Sequence, residues 1–326
     1  MASYFLGIDI GGSKSHALIA DGLGQAVGFG KAGAGSWEAV GYTVLTEVLQ
    51  SIASQALSMA GLTAGQITGA GLGVAGYDWP SQLPAHLEAI RPLGLNCPIE
   101  VVNDAMIGIL AAAEGCWGVS VVAGTGTNCW GRTRNPPRIA RMVGGGGHWS
   151  GEPSGSVGLV LDAMRAVTFE WNKRGPATAL TPIFMQHFGV STLDELIEKV
   201  HLSRHHFQPK DVLMVFQVAA QGDPQALEAV ARLGCGLGEM TWGVINQLEI
   251  KDLTFDMVMI GSLWNGHPLL AQKFGETVNH HAPHARMVRL TVPPVVGGVL
   301  LGMEAAGWDP LPARPMLLES VRQMFV

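Results

Sequence analysis

The chain has 326 residues, of which 48% are hydrophobic and 14% charged, a balance typical of a compact folded protein and not of a disordered one. Its length exceeds that of an ordinary single domain, so two domains are the first expectation. The formal net charge of −6 gives no long-range attraction for nucleic acid or an anionic membrane, so neither is expected as a partner.

Three further features of the composition bear on location and redox chemistry. The first nine residues have no basic start, and Asp9 interrupts their short apolar run, so we do not expect a secretory signal. The apolar stretches near 119–123 and 295–301 are shorter than the roughly 18 residues that a spanning helix needs. The four cysteines show no C-x-x-C spacing, which favours buried free thiols over a zinc site or disulfides. We therefore predict a cytoplasmic protein.

The first part of the chain alternates in a regular order. Apolar periodicity and turn residues predict strands at 4–10, 15–20 and 25–31, a helix at 37–59, a strand at 67–74, a helix at 81–90, a strand at 99–102 and a helix at 105–113. The order is βββαβαβα and begins with an antiparallel meander. We place a first domain at 1–118, completed by a C-terminal helix within 308–326.

The second part repeats this order without repeating the sequence. Strands are predicted at 119–123, 128–132, 139–143, 257–260 and 287–290, and helices at 224–246, 268–279 and 295–306. Three further helices, at 156–171, 192–200 and 212–221, interrupt the pattern. We place a second domain at 119–307, with a helical insertion at about 155–222.

Two short glycine-centred turns follow apolar strands in equivalent positions of the two halves. They are Asp9-Ile10-Gly11-Gly12-Ser13-Lys14 and Ala123-Gly124-Thr125-Gly126-Thr127-Asn128. Glycine lets the backbone bend sharply with no Cβ in the way, so that amide N–H groups converge on an anion such as phosphate. One such turn would be weak evidence, because glycine turns are common. The matched pair is a stronger indication.

Five segments in the expected order resemble the N-acetylglucosamine and glucosamine kinases of the BadF-type ATPase group. This group belongs to the superfamily that unites sugar kinases, actin and heat-shock chaperone ATPases. The segments are the two phosphate motifs Gly7-Ile8-Asp9-Ile10-Gly11-Gly12-Ser13-Lys14-Ser15 and Val122-Ala123-Gly124-Thr125-Gly126-Thr127-Asn128-Cys129, the acidic Val101-Val102-Asn103-Asp104-Ala105, and Ile260-Gly261-Ser262-Leu263-Trp264 and Pro294-Val295-Val296-Gly297-Gly298-Val299-Leu300-Leu301-Gly302.

The resemblance implies both a fold and an activity. The fold is α/β, with two ribonuclease-H-like domains around an interdomain cleft, as in actin-like ATPases. The activity is ATP- and Mg²⁺-dependent phosphorylation of an amino-sugar hydroxyl, with N-acetylglucosamine converted to N-acetylglucosamine 6-phosphate and glucosamine as the alternative acceptor. Homodimers are expected on the same basis.

The nucleotide residues follow from the matched motifs. Phosphate binding is expected at Gly11, Gly12, Ser13, Lys14, Gly124, Thr125, Gly126 and Thr127, with the hydroxyls as additional donors. Lys14 has a solvated surface charge as its alternative role. Adenosine is expected at Gly261, Ser262 and Gly297, for which close helix packing is the alternative explanation.

Two carboxylates are candidates for metal binding and for general-base catalysis. Asp9 ends a strand just before the first turn, where it can hold hydrated Mg²⁺ or accept backbone hydrogen bonds. Asp104 lies between a strand and a helix, where it can cap the helix or act as the general base for the sugar hydroxyl. The resemblance favours the metal role and the base role.

The acceptor sugar is assigned to Ser36, Trp37, Ala75, Gly76, Asn103, Asp104, Thr127, Gly147, His148 and Glu152. Trp37 can stack on a pyranose ring or pack in the core. The similar kinases have Gly-Asp-Glu-Gly-Ser after a Trp-Gly-His run, and their aspartate binds a sugar hydroxyl. Here an ungapped match places Glu152 at that position, whereas a shift by one places Gly151 there and removes the acid.

Two functions from other classes also fit a phosphate-binding cleft. One is an ATPase that activates a partner enzyme, but the relatives with that function carry iron–sulfur clusters, and these cysteines lack a matching motif. The other is a sensor that binds sugar and nucleotide without catalysis, which is favoured if Gly151 aligns with the family acid.

Overall fold

The computed structural model describes residues 2–142, 150–202 and 207–324. Its strands are β1 Tyr4–Ile10, β2 Ser15–Asp21, β3 Ala26–Ala32, β4 Ile67–Val74, β5 Ile99–Asn103, β6 Gly118–Ala123, β7 Thr127–Arg134, β8 Pro137–Met142, β9 Phe255–Ile260 and β10 Ala285–Arg289. Its helices are α1 Trp37–Ala60, α2 Leu83–Ile90, α3 Asp104–Ala112, α4 Gly155–Trp171, α5 Leu180–Phe188, α6 Leu193–Leu202, α7 Val212–Ala220, α8 Pro224–Leu248, α9 Pro268–His281, α10 Val295–Ala305 and α11 Arg314–Met324.

The first sheet has the strand order β3-β2-β1-β4-β5. β1, β2 and β3 form the antiparallel meander expected from the sequence, and β1, β4 and β5 are parallel. β1 is buried along nearly its whole length, as expected for a strand covered on both faces. Its carboxyl end, with Asp9, therefore opens at the same edge of the sheet as the ends of β4 and β5.

The second sheet repeats this plan in the order β10-β9-β6-β7-β8. β6, β7 and β8 form an antiparallel meander, and β6, β9 and β10 are parallel. The predicted βββαβαβα order is thus confirmed in both halves. The central strand β6 ends at the second glycine turn, just as β1 ends at the first.

Helix α10 packs against the first sheet, although it follows the last strand of the second. Gly7 and Gly298 make this close approach possible, because a Cβ on Gly7 would lie 2.8 Å from the carbonyl carbon of Gly298. Helix α10 thus packs on the first sheet although it lies within the predicted second domain, 119–307, whose bounds stay a prediction. The chain crosses back after β10.

Helix α11 packs on β3 of the first sheet. The hydroxyl of Ser320 accepts a hydrogen bond of 3.0 Å from the amide of Ala26 and lies 3.2 Å from the carbonyl of Gly24. Helix α11 begins at Arg314, within the range 308–326 in which the sequence predicts a C-terminal helix.

The helical insertion follows the second meander and comprises α4 to α7. Helix α5, with the sequence LTPIFMQHF, was not predicted from the sequence. Phe184 and Phe188 of α5 are buried in the core of the second domain. Within the described residues, no helix combines the length and apolarity needed to cross a membrane.

Candidate active site

A cleft of about 340 Å³ lies between the two sheets. Its lining residues come from both halves of the chain and are Glu38, Ala75, Gly76, Asp78, Asp104, Val122, Gly124, Thr125, Gly126, Thr127 and Asn128. The structure thus brings the proposed base, the second glycine turn and part of the predicted sugar site into one cavity.

Asp104 is the first residue of α3, and its Oδ1 accepts the amide hydrogen of Ala105 at 3.0 Å. Protein atoms surround this carboxyl, and the resulting loss of hydration raises its pKa to about 7, with further increases from the charges of Asp9 and Asp78. A carboxyl with a pKa near neutrality is suited to accept a proton.

The N-cap of α3 is Asn103 and not Asp104, which corrects the capping alternative. Asn103 Oδ1 accepts the amide hydrogen of Ala105 at 2.9 Å. Its Nδ2 donates to Asp78 Oδ1 at 2.9 Å and to the carbonyl of Tyr77 at 3.3 Å. Both amide hydrogens are thus used to orient neighbouring groups, and the direct contact of Asn103 with the sugar stays a prediction.

Asp78 was not predicted from the sequence, because it follows β4 in a loop with no recognisable motif. Loss of hydration raises its pKa to about 6, and the nearby charge of Glu38 adds to the increase. Hydrogen bonds from the side chains of Asn128 and Asn103 and the charge of Arg141 oppose that increase. Asp78 therefore joins elements of both domains at one end of the cleft.

The first glycine turn is a tight hairpin between β1 and β2. The amide of Gly11 donates to the carbonyl of Lys14 at 3.1 Å, so Gly11 closes the turn and cannot bind phosphate through its N–H, contrary to expectation. In the described residues no acceptor takes the amide hydrogens of Gly12 or Ser13, and both residues are exposed. Those two amides remain suitable for an anion, and the Lys14 side chain is exposed beside them.

The second glycine turn has the same construction. The amide of Gly124 donates to the carbonyl of Gly126 at 3.0 Å. A Cβ on either glycine would meet nothing within 4 Å, so the space beside this turn is open. The hydroxyl of Thr127 donates to the carbonyl of Pro153, which corrects the expectation that it donates to phosphate.

The start of α4 supports the second turn, a contact that the sequence did not indicate. A Cβ on Gly155 would lie 2.5 Å from the carbonyl oxygen of Thr125, and Gly155 has a φ of 61°. The amide of Ser156 donates to the carbonyl of Gly124 at 2.9 Å. Only glycine fits this approach without displacing the turn.

Asp9 is 7% exposed at the end of β1 and lies 3.8 Å from Nδ1 of its cross-strand partner His16. In the described part of the chain, no group of three or more His, Cys, Asp or Glu side chains is arranged to hold a metal ion. Mg²⁺ is usually held by one or two carboxylates with phosphates and water, so a preformed cage is not required. Because Asp9 raises the pKa of Asp104, the cleft carries negative charge that fits a divalent cation.

The proposed adenosine residues have different surroundings. Gly261 and Ser262 are exposed after β9, and a Cβ on Gly261 would lie 2.3 Å from the carbonyl oxygen of Ala123, directly before the second turn. Gly297 is buried in α10, where a Cβ would lie 1.8 Å from the carbonyl oxygen of Ile107. Close helix packing, the alternative explanation, therefore accounts for Gly297, and its contact with adenosine stays a prediction.

Trp37 and Ser36 support the loop after β4. The indole of Trp37 donates to the carbonyl of Gly76 at 2.8 Å and stacks on Tyr42 with a centroid distance of 5.1 Å. The hydroxyl of Ser36 donates to the carbonyl of Ala75 at 3.4 Å. One ring face and the N–H of Trp37 are thus occupied, and His86 lies edge-on to the same ring at a centroid distance of 6.2 Å. Stacking of Trp37 on a sugar stays a prediction.

The predicted segment around Glu152 is only partly described. Gly147 and His148 lie outside the described residues. Glu152 lines a separate cavity of about 400 Å³ beside α4 and α8 and does not line the cleft. The assignment of Glu152 to the sugar therefore stays a prediction.

The four cysteines are free. Burial raises the pKa of Cys116 to about 11 and that of Cys129 to about 12, so both are protonated thiols at neutral pH. Cys116 and Cys129 fit the predicted buried thiols, whereas Cys97 and Cys235 are only half-buried.

Residues 6–302 match the model of the BadF/BadG/BcrA/BcrD ATPase family. The chain belongs to this family. An N-acetylmuramic acid/N-acetylglucosamine kinase from Clostridium acetobutylicum is 24% identical over 91% of this chain and 97% of its own. The N-acetyl-D-glucosamine kinase of Dictyostelium discoideum is 23% identical over 92% of this chain and 98% of its own.

A solved structure supports the fold. A candidate N-acetylglucosamine kinase from Chromobacterium violaceum superimposes with a TM-score of 0.61 at 20% identity, covering 92% of this chain and 98% of the other. The expected two-domain α/β architecture of the actin-like ATPases is thereby confirmed.

Proposed function

We propose that this protein transfers the γ-phosphoryl group of ATP to a hydroxyl of an amino sugar, with N-acetylglucosamine as acceptor and N-acetylglucosamine 6-phosphate as product. Family membership and the named relatives support the reaction class. The structural observation that carries the proposal is the position of Asp104, which shares one cleft with the second glycine turn. A base and a phosphate-binding turn in one cavity are the parts that phosphoryl transfer needs.

Backbone amides on both sides of the cleft bind the phosphates. The amides of Gly12 and Ser13 approach phosphate oxygens from the first domain, and those of Thr125 and Gly126 approach from the second. Such oriented donors stabilise charge that develops in the transition state. Mg²⁺ bound beside Asp9 would neutralise phosphate charge and orient the transferred group.

Asp104 supplies the base. In its ionised form, Oδ2 accepts the proton of the sugar hydroxyl as the oxygen attacks phosphorus, while Oδ1 stays oriented by the amide of Ala105. The hydrogen bond from Asn103 to Asp78 holds a second carboxylate at the end of the cleft, where it can accept from another hydroxyl of the sugar. Because a sugar hydroxyl is a neutral donor, an ionised acceptor binds it more strongly than a neutral one.

A panel assay tests this function. ADP release is measured with N-acetylglucosamine, glucosamine, glucose and N-acetylmannosamine, each with and without Mg²⁺. We expect Mg²⁺-dependent release that requires a sugar and is fastest with N-acetylglucosamine. Release that does not respond to any sugar would instead support an ATPase that acts on a partner, and sugar binding without ADP formation would support a sensor. Homodimer formation stays a prediction from the family resemblance.

A further inference from the structure

A smaller cavity of about 200 Å³ adjoins the cleft and shares Asp78 with it. We call it the side cavity; its lining includes Asp78, Trp79, Glu100, Trp130 and Arg141. Trp79 follows β4 of the first sheet, whereas Trp130 and Arg141 lie on β7 and β8 of the second. The side cavity therefore lies between the domains and adjoins the cleft at Asp78.

The guanidinium of Arg141 is held between two indole rings. Its central carbon lies 5.0 Å from the ring centroid of Trp79 and 5.5 Å from that of Trp130. Stacking of this kind restricts a planar guanidinium while leaving the N–H groups at its edge free to donate. The geometry thus fixes the position of a positive charge.

The donors of this guanidinium are unused in the described part of the chain, where no carboxylate forms an ion pair with Arg141. Other arginines of β7 and β8 are paired with carboxylates, such as Arg132 with Glu304 and Arg138 with Glu249. The indole N–H of Trp130, in a residue only 6% exposed, also lacks a hydrogen-bond acceptor among the described residues. Unsatisfied buried donors are costly, so they favour an anionic or polar guest.

We propose that the side cavity is a subsite for a carboxylate on a substituent of the acceptor sugar, bound by the guanidinium of Arg141. This inference rests on the proposed function, because the sugar in the cleft must place its substituent past Asp78. A planar guanidinium matches a carboxylate in a two-bond pair. Asp78 and Glu100 in the same lining disfavour a doubly charged phosphate more than a singly charged carboxylate.

Matched sugars test the subsite. N-acetylmuramic acid differs from N-acetylglucosamine by a carboxylate-bearing ether at O3, and N-acetylglucosamine 3-phosphate carries a phosphate at the same oxygen. KM is measured for the three sugars with the parent protein, Arg141→Gln and Arg141→Lys. We expect the parent to have its lowest KM for N-acetylmuramic acid. Arg141→Gln should raise that KM about 10-fold or more and change the KM for N-acetylglucosamine less than about twofold. The KM of Arg141→Lys for N-acetylmuramic acid should lie between those of the parent and of Arg141→Gln.

Arg138→Gln is the control, because it removes a positive charge from the same strand but from a residue paired with Glu249. It should leave all three KM values unchanged. If Arg141→Gln raises KM equally for charged and neutral sugars, Arg141 has a purely structural role and the subsite is overturned. Preference for the phosphate-bearing sugar would overturn the carboxylate assignment.

Calorimetry separates this inference from the proposed function. If no sugar is phosphorylated but N-acetylmuramic acid binds in an Arg141-dependent way, the kinase proposal fails and the subsite stands. If sugars are phosphorylated but the carboxylate gives no advantage in binding or KM, the subsite fails and the kinase proposal stands. Absence of both phosphorylation and binding overturns both.

Discussion

The side-chain amide of Asn103 donates a 2.9 Å hydrogen bond to Asp78, while its carbonyl oxygen accepts the amide hydrogen of Ala105 at 2.9 Å. One residue thus caps the helix that begins at Asp104 and orients the acid at the end of the cleft. The two roles use different atoms. Substitutions can therefore separate them.

Asn103→Ser should keep the cap and lose the donors to Asp78, whereas Asn103→Ala should lose both. We expect Asn103→Ser to raise the sugar KM about 5-fold with near-parental stability, since serine caps helices about as well as asparagine. Asn103→Ala should also lower the free energy of unfolding by about 1 kcal/mol. Denaturant unfolding and steady-state kinetics measure the two effects. An unchanged sugar KM in both variants would contradict the orienting role.

Gly155→Ala tests the contact between α4 and the second glycine turn. Its Cβ would clash with the carbonyl of Thr125, so we expect a higher KM for ATP and a loss of stability. Gly151→Ala is the matched control, because Gly151 also has a positive φ, of 72°, but open space around its Cβ. Gly151→Ala should lower the free energy of unfolding by about 1 kcal/mol through backbone strain alone and leave the KM for ATP unchanged. Equal KM values in the two variants would argue against the contact.

Asp9→Asn tests the metal role. We expect the Mg²⁺ concentration for half-maximal activity to rise about 10-fold or more while the sugar KM stays constant, because asparagine is a weaker Mg²⁺ ligand than a carboxylate. Removal of the negative charge should also lower the pKa of Asp104, which Asp9 raises. Titration of activity with Mg²⁺ at fixed ATP measures the first effect. A parental Mg²⁺ requirement would leave Asp9 as a structural partner of His16.

Asp104→Asn should change how stability depends on pH. The folded-state pKa of Asp104, about 7, is above its ordinary value of 3.8, so the folded protein binds this proton more tightly than the unfolded chain. This stabilisation is present below pH about 4 and is lost as the pH rises to about 7. Thermal unfolding without nucleotide should therefore show the variant gaining stability relative to the parent between pH 5 and pH 8. A difference that does not vary with pH would contradict the raised pKa.

The fold was largely predictable from the sequence, because the strands in both meanders are short apolar runs bounded by turn residues. Helix α1 and strand β4 were located to within a residue. The sheet against which a helix packs was less predictable. Helix α10 packs against the first sheet through glycines that are far apart in sequence, such as Gly7 and Gly298. The local spacing of apolar residues does not reveal such a contact.

The candidate site was predictable where a motif was present and not elsewhere. Asp104 and the second glycine turn, both in recognised motifs, line one cleft in the structure. The fold itself uses the amides of Gly11 and Gly124 and the hydroxyl of Thr127 in hydrogen bonds. Neither Asp78 nor Arg141 lies in a recognisable sequence motif. Their environments arise from the meeting of two domains, which a single sequence does not display.

The most direct test of the account compares sugar-dependent ADP release by the parent protein and by Asp104→Asn at pH 8, with ATP binding followed by calorimetry. Asparagine keeps the shape of the side chain but cannot accept the hydroxyl proton as a base. We expect kcat to fall about 10²- to 10⁴-fold in Asp104→Asn, with the Kd for ATP little changed. An equal kcat in the variant would contradict the assignment of Asp104 as the base.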